Sequence, residues 1–290
     1  MKPIPFTVLA AALLLPSVAA RSEEPPAAAR VGDVYELIKS YETSMEGSGG
    51  SSASSQGHEM LIERVIAVRS DGLELEYDVP RSESSGAHWQ FPARVFRPVG
   101  GELQLLNRAE LESRVDGWLK KGKMTRAACG RWTFTWNAFR IDCDPQSAIA
   151  IVSSYDLGPS DLREGALFRT GEARAPAPLR MKRAGPEGST YVAEMEIDPD
   201  AVRRAQAESD VVVGEILGEP VSLDAATRDR AKDAVSGTIS ITFETDPAGQ
   251  VKRRTEVVKL EVRRPDGVVE TRTASEVLER RLVSEAAASR

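Results

Sequence analysis

The sequence predicts an α+β protein that consists mostly of antiparallel sheet built from hairpins, with several short amphipathic helices packed on it. Three observations indicate this class. Apolar and polar residues alternate in several short stretches, most regularly from Leu73 to Val79. Turn dipeptides such as Asp71-Gly72 join neighbouring stretches closely enough for hairpins. Segments with helical spacing, the clearest at residues 107–122, fall between these stretches.

The first 20 residues predict a signal peptide for export. Lys2 precedes an apolar run from Phe6 to Leu15, and Ala20 ends a group of small residues at the spacing of a cleavage site. The apolar run is too short for a bilayer core, which requires about 20 apolar residues. We therefore expect cleavage after Ala20 and a periplasmic or secreted protein with no membrane span after cleavage. Residues 21–30, rich in Pro, Ala and Glu, predict a disordered leader.

An N-terminal β-rich subdomain is predicted over residues 31–168. The Ser- and Gly-rich segment 47–57 predicts a flexible loop. Strands are expected on either side of this loop and beyond it, at 34–43, 59–69, 73–79, 89–96 and 103–106. The second strand is expected to carry four apolar side chains on one face, namely Met60, Ile62, Ile66 and Val68.

The first helix of this subdomain is predicted between Asn107 and Gly122. Asn107 is a favourable N-cap residue, and Glu110 follows at the spacing of a capping box. Four apolar residues would form one stripe facing the sheet, namely Leu111, Val115, Trp118 and Leu119. A sheet with a helix across one face is the expected result.

Cys129 and Cys143 enclose an aromatic segment that predicts a disulfide-closed hairpin. Paired cysteines are usual in exported proteins. A straight strand from Trp132 to Ile141 would span about 33 Å, whereas the Cα atoms of a disulfide lie within about 7 Å, so a disulfide requires the chain to reverse. We expect the reversal near residues 136–138, because Asn137 tolerates a left-handed turn. A helix, or a straight strand with two free thiols, is the alternative.

A Pro-, Ala- and Gly-rich stretch at 169–179 predicts a linker to a C-terminal α+β subdomain at 180–284, with a frayed tail at 285–290. Before the linker, Asp144-Pro145 predicts the start of a short helix. After it we expect strands at 179–183, 190–197, 238–245, 251–262 and 268–273, and helices after Asp198, at 223–235 and at 275–282.

The residue patterns of common enzyme classes do not occur in the sequence. The two histidines, His58 and His88, lie in predicted polar loops. There is no Gly-x-Ser-x-Gly elbow and no phosphate-binding glycine loop. The cysteines lack redox spacing, and histidine and cysteine are too few for zinc. We therefore predict no catalytic, cofactor or metal site. The sequence pI near 5.3 argues against nucleic acid as a partner.

Four aromatic residues are the remaining candidates for ligand binding, namely Trp89, Trp132, Trp136 and Phe139. Such residues form either a sheet core or the wall of an apolar cavity for a small molecule, lipid or peptide. We predict a non-enzymatic binding or envelope-associated protein. A periplasmic hydrolase that uses carboxylates is the alternative, because 44 acidic residues allow many pairings.

The run from Cys129 to Pro145 resembles a family of exported bacterial, chiefly proteobacterial, proteins to which no activity is assigned. The resemblance therefore implies export and implies no mechanism. The expected plan of a curved sheet with helices is also similar to that of periplasmic lipoprotein carriers. That similarity involves no shared motif, and a fold does not by itself determine function.

Overall fold

A computed structural model describes residues 29–80, 88–134, 138–159 and 162–283. The predicted signal peptide, most of the predicted leader and the predicted tail lie outside these residues. The described residues form four α-helices: α1 Arg108–Lys121, α2 Ser147–Ser153, α3 Pro199–Leu217 and α4 Leu223–Arg230. None of these helices is long and apolar enough to cross a bilayer.

The same described residues form fourteen strands. In chain order they are β1 Val34–Gly47, β2 Ser52–Arg69, β3 Gly72–Asp78, β4 Ala93–Pro98, β5 Gln104–Leu105, β6 Trp132–Phe134, β7 Ala138–Arg140, β8 Leu167–Phe168, β9 Ala177–Pro178, β10 Arg180–Gly185, β11 Gly188–Glu196, β12 Ala234–Thr245, β13 Val251–Arg263 and β14 Val269–Val283. The prediction of a mostly antiparallel α+β fold is confirmed.

Ten of these strands form one antiparallel sheet in the order β10-β11-β12-β13-β14-β1-β2-β3-β4-β5. The last strand pairs with the first along its length, with Val34 opposite Val283 and Gly47 opposite Glu270. Strands from both predicted subdomains therefore share one sheet. The division at 169–179 stays a prediction, and one of its residues, Ala173, is fully buried and forms a bridge with Ile197.

Two hydrophobic clusters lie on one face of this sheet, which we call the inner face. The first joins α1 and α2 to β1–β4, and includes Leu75, Val95, Leu111 and Val115. The second joins the start of α3 to β11 and β12, and includes Val202, Ile239, Ile241 and Phe243. Because directly opposed residues of antiparallel strands project to the same side, the register across β12, β13, β14 and β1 places both clusters on one face.

The disulfide-closed hairpin is confirmed. The Cys129–Cys143 disulfide has an S–S distance of 2.07 Å and a Cα–Cα distance of 5.7 Å. Between the cysteines, β6 pairs antiparallel with β7, with Trp132 opposite Arg140. The alternatives of a helix and of two free thiols are therefore wrong. The predicted tip at residues 136–138 falls mostly outside the described residues, which resume at Ala138.

The predicted stripe of the first helix is also confirmed, since Leu111, Val115 and Leu119 are buried. Asn107 precedes this helix without capping its backbone. Its carboxamide instead accepts a hydrogen bond from the Arg94 amide at 2.9 Å and donates to Glu110 at 3.1 Å. The residue therefore ties the start of α1 to strand β4.

The flexible loop predicted at 47–57 is wrong. The turn closes between Gly47 and Ser51, whose backbone groups bond at 2.8 Å, and β2 begins at Ser52. Residues 52–57 pair with β1 although most of their side chains are exposed. The backbone ladder with β1 holds this segment, which buries little apolar surface.

The single face predicted for the apolar residues of β2 is wrong, because a bulge between Val65 and Ala67 shifts the register of the strand. Leu61, Glu63 and Val65 are buried on the inner face, whereas Val68 is 49% exposed. The alternation of buried residues is not evident in the sequence, because Glu63, at the centre of the buried set, has the charge of a typical exposed residue. Its burial is made favourable by partners from distant strands, described below.

Two predicted helices are wrong in whole or in part. Residues 275–282 belong to strand β14, which lies between β13 and β1 and pairs with both. Pairing on both edges outweighs the helical spacing of this segment. The helix predicted at 223–235 ends at Arg230, and Val235 lies in β12. The helix expected from Asp144-Pro145 begins slightly later, at Ser147.

Candidate ligand-binding groove

The inner face of the sheet forms a groove between its two helix-covered parts. The groove has a volume of about 580 Å³, within the range of small-molecule sites. Its floor consists of inner-face residues of β13, β14 and β1, and its wall is the first half of α3.

The register of the central strands builds an apolar floor at one end of the groove. Val258 lies opposite Ala274, and Leu260 lies opposite Arg272. Val258 and Leu260 are half-buried, although they lie in the middle of the sheet. Ile197 and Val202 complete this apolar part from the side of α3.

The groove wall is positioned by N-terminal capping of α3. The Asp198 side chain accepts a hydrogen bond from the Asp200 amide at 3.0 Å, and Pro199 occupies the first helical position. Beneath this turn, Gly237 allows a close approach. A Cβ atom there would lie 2.6 Å from Cδ1 of Ile197 and 2.3 Å from a backbone oxygen of β13. The glycine therefore lets Ile197 pack directly against the floor.

The other end of the groove, formed by Tyr41, Glu256 and Glu276, is called its acidic end. Tyr41 is on β1, Glu276 is on β14 and Glu256 is on β13. The three lie side by side, since Glu276 is opposite both of the others. Arg254 forms an ion pair with Glu256 and donates to the Asp156 carbonyl at 3.2 Å. Among the described residues, Glu276 has no hydrogen bond and no ion pair. One carboxylate of the groove is therefore compensated and its neighbour is not.

The Tyr41 ring occupies space that a missing side chain leaves over β2. Gly57 lies opposite Tyr41, and a Cβ atom there would lie 2.2 Å from the tyrosine ring. The ring therefore lies across the strand, over Gly57, and remains 37% exposed. Because β2 and β14 flank β1 on opposite sides, the ring extends away from Glu276.

The groove is acidic as a whole. Among the described residues that line it are four carboxylates and two guanidinium groups, namely Glu172, Glu256, Glu270, Glu276, Arg254 and Arg272. The ion pair to Arg254 compensates Glu256, and Arg264 lies 3.6 Å from Glu270. The uncompensated charge that is half-buried is therefore that of Glu276.

A second charged cluster, Glu63 with Tyr77, Arg97 and Arg280, lies within the first hydrophobic cluster and is called the buried cluster. Glu63 is 1% exposed. One of its oxygens accepts from Arg280 at 2.7 Å, and the other accepts from Tyr77 at 2.8 Å and from Arg97 at 3.2 Å. The Arg280 guanidinium also lies 3.4 Å from the centre of the Tyr35 ring.

The pKa values of the buried cluster follow from this pairing. Burial alone would raise the pKa of Glu63, but attraction to Arg97 and Arg280, together with hydrogen bonds from Arg280 and Tyr77, outweighs burial and lowers the pKa. Burial, followed by the Glu63 charge, raises the pKa of Tyr77 well above its usual value. Glu63 is therefore ionised at neutral pH and accepts hydrogen bonds only. This is the chemistry of a structural ion cluster and is unsuited to a proton donor.

The aromatic candidates from the sequence are spread over the fold. Trp89 is buried in the first hydrophobic cluster. Trp132 is half-buried on β6, and this strand lies beside α3. Trp136 and the side chain of Phe139 lie outside what the structure describes. Neither Trp89 nor Trp132 belongs to the described lining of the groove, and the role of these four residues in ligand binding stays a prediction.

His58 lies on strand β2, and not in a loop as predicted. Its Nδ1 is 3.2 Å from Oγ of Ser40, on the face of the sheet opposite the groove. Both residues belong to paired strands of the sheet, and neither belongs to the described lining of the groove.

The sequence reasoning missed the groove residues Tyr41, Glu256 and Glu276. The local signal was a strand, β13, with apolar residues on both faces, since Val257 and Val258 are adjacent. Such a strand indicates a cover on each side. The assignment of residues 275–282 to a helix removed the neighbour that brings Glu276 beside Glu256.

No known family model matches this chain, and no curated protein matches it. Among solved structures, one titled "Lipid-protein interactions in lipovitellin" is similar over 88% of this chain with 9% identity and a TM-score of 0.38, and this chain spans 26% of that protein. The crystal structure of Ail, the attachment invasion locus protein of Yersinia pestis, is similar over 87% of this chain and 100% of its own, with 6% identity and a TM-score of 0.15. At these scores neither similarity bears on the function of this chain.

Proposed function

We propose that this chain is an exported, non-enzymatic binding protein that holds a single-chain amphipathic molecule of the lipid type in the groove. The observation that carries the proposal is the half-buried apolar floor of Val258 and Leu260 in the centre of a ten-stranded sheet. Side chains at such positions normally pack against a helix or a second sheet. In this chain they pack on one side against the second hydrophobic cluster, the groove lies above the rest of their surface, and a ligand would complete the layer.

The dimensions of the groove suit a single alkyl chain. From Glu256 to Leu260 the strand rises about 13 Å, so a chain of about ten carbons would run from the acidic end along the apolar floor. Each square ångström of apolar surface removed from water contributes about 25 cal/mol. The polar rim would keep the head group of the ligand in contact with water.

Export is supported by two observations. The first 20 residues have the composition of a signal peptide, and the chain contains a disulfide, which persists in oxidising compartments. We propose the periplasm or the cell exterior as its location.

The alternative, a hydrolase that uses carboxylates, is favoured by one observation, the neighbouring Glu256 and Glu276 in the groove. The two functions differ in the fate of a bound ester. A binding protein would retain p-nitrophenyl decanoate unchanged, whereas a hydrolase would release p-nitrophenol over many turnovers. We expect no release above that of a Glu256→Gln, Glu276→Gln double variant.

Calorimetric titration with dodecylphosphocholine, below the concentration at which it forms micelles, tests the proposal. We expect one saturable site per chain. Ala205, an exposed residue of the α3 wall, gives the decisive variant, since Ala205→Trp would fill the groove and weaken binding by at least about tenfold. Ala231→Trp, on an exposed residue after α4, is the matched control and should bind as the parent does. Absence of saturable binding, or equal binding by both variants, would overturn the proposal.

A further inference from the structure

We infer that the groove selects a single alkyl chain of about ten carbons, and that Arg272 sets the upper limit of this length. The inference rests on the proposed function and specifies the ligand class of the same groove. It is drawn from the inner-face residues of β13 and β14, where the apolar floor is bounded by charged or covered residues at both of its ends.

The apolar floor begins beyond the acidic end. There Val258 lies opposite Ala274, and Leu260 follows Val258 on the same face of β13. Both β13 side chains are half-buried. Towards the acidic end, an alkyl chain would instead cover the carboxylate of Glu256, and removal of a charged group from water costs free energy. One limit of the alkyl chain is therefore the acidic end.

The floor ends beyond Leu260. The next inner-face residue of β13, Val262, is only 2% exposed and offers no free apolar surface. On β14 the corresponding residues are Arg272, opposite Leu260, and Glu270, opposite Val262, and both of them line the groove. A chain that continued past Leu260 would have to cover these charged side chains or project into water.

Arg272 closes this end of the floor on β14. Its side chain is exposed and, among the residues that the structure describes, has no hydrogen bond and no ion pair. Glu270 differs, because Arg264 lies 3.6 Å from it. An alkyl chain laid over Arg272 would take an unpaired guanidinium out of water, which costs free energy. An apolar residue at this position would instead continue the floor, so Arg272 is the residue that determines chain length.

The separation of the two limits fixes the number of carbons. The strand rises about 13 Å from Glu256 to Leu260, a distance that an extended chain of about ten carbons spans. Each methylene that lies over the floor should raise the affinity about fourfold, the equivalent of one buried methylene. A methylene beyond the floor stays in water and should add little.

Calorimetric titration of the parent protein with octyl-, decyl-, dodecyl- and tetradecylphosphocholine tests the inference, with each ligand kept below the concentration at which it forms micelles. The head group is the same throughout, so the affinities differ only through the chain. From octyl to decyl we expect a gain of about fourfold per methylene, and beyond decyl a gain below about 1.5-fold per methylene. We call the chain length at which the gain falls the limiting length.

Three variants test the assignment to Arg272. Arg272→Leu adds apolar surface at the end of the floor and should increase the limiting length by about two carbons. Arg272→Gln removes the charge but keeps a polar side chain there, and should leave the limiting length unchanged. Lys259→Leu is the matched control, because Lys259 is an exposed cation beside Leu260 on the opposite face of β13, and it should leave the limiting length unchanged.

The outcomes separate this inference from the proposed function. Failure of all four ligands to bind saturably would overturn the proposed function itself. Saturable binding whose affinity rises about fourfold per methylene up to tetradecyl would overturn the chain-length limit alone. A limiting length that Arg272→Leu does not increase, or that Arg272→Gln or Lys259→Leu increases equally, would overturn the assignment to Arg272.

Discussion

The buried cluster and the acidic end of the groove lie on the same face of one sheet and use the same residue types, but they differ in how completely their charges are paired. Both oxygens of Glu63 are engaged by Tyr77 and by two arginines. Glu276 has a neighbouring carboxylate and a tyrosine, and no cation among the described residues. A charge whose partners are all supplied by the chain stabilises the fold. A charge left unpaired at the edge of a groove is available to a ligand.

The largest expected effect is the loss of stability on removal of Glu63. Glu63→Leu leaves Arg97 and Arg280 without their shared partner, and we expect the free energy of unfolding to fall by about 3 kcal/mol. Equilibrium unfolding in urea measures this fall in the free energy of unfolding. Glu76→Leu, on the adjacent strand, is the control. Glu76 forms a partly exposed pair with Arg64, so its replacement should lower the free energy of unfolding by about 1 kcal/mol or less. Equal losses for the two variants would contradict the structural role of the buried cluster.

The pH dependence of stability is a smaller effect of the same cluster. Because the folded-state pKa of Glu63 is lowered, its contribution is fully present above the unfolded value of about 4.3 and is lost as the pH falls from there towards the folded pKa. The difference in unfolding free energy between the parent protein and Glu63→Gln should therefore shrink below about pH 4.3. A difference that grows on acidification would show that the folded pKa is raised instead.

The smallest effect is expected at the acidic end of the groove. Glu276→Gln removes repulsion from Glu256 and breaks no pairing of the described residues. We expect the unfolding free energy to stay the same or to rise by about 0.5 kcal/mol. Thermal unfolding without ligand measures this change in unfolding free energy, and Glu63→Gln is the contrasting variant. A loss above about 1 kcal/mol would indicate that Glu276 stabilises the fold, and would remove the contrast between the two clusters.

The elements that the sequence predicts well are those with a regular local pattern. Strand β12 carries Ile239, Ile241 and Phe243 at alternate positions, and all three are fully buried. The stripe of α1 and the reversal between Cys129 and Cys143 follow in the same way from spacing and from covalent geometry. These features depend on residues that are close in sequence.

The elements that the sequence mispredicts depend on distant partners. The burial of Glu63 requires Arg97 and Arg280, which lie 34 and 217 residues away along the chain. The pairing of β14 with β1 joins the two ends of the described chain, and no local pattern in residues 275–282 indicates it. The acidic end of the groove requires this pairing together with the register of β13, so its three residues are adjacent only in the fold.

Photolabelling with an alkylphosphocholine that carries a diazirine at the end of its chain tests the central claim most directly. After irradiation and digestion, the site of the label identifies the surface that receives the alkyl chain. We predict labels on the groove wall at residues 197–209 and on the floor at 254–276, both reduced by excess dodecylphosphocholine. Labels concentrated elsewhere, for example on the exposed apolar residues Val213, Leu217 and Leu223 at the far end of α3 and the start of α4, would contradict the account.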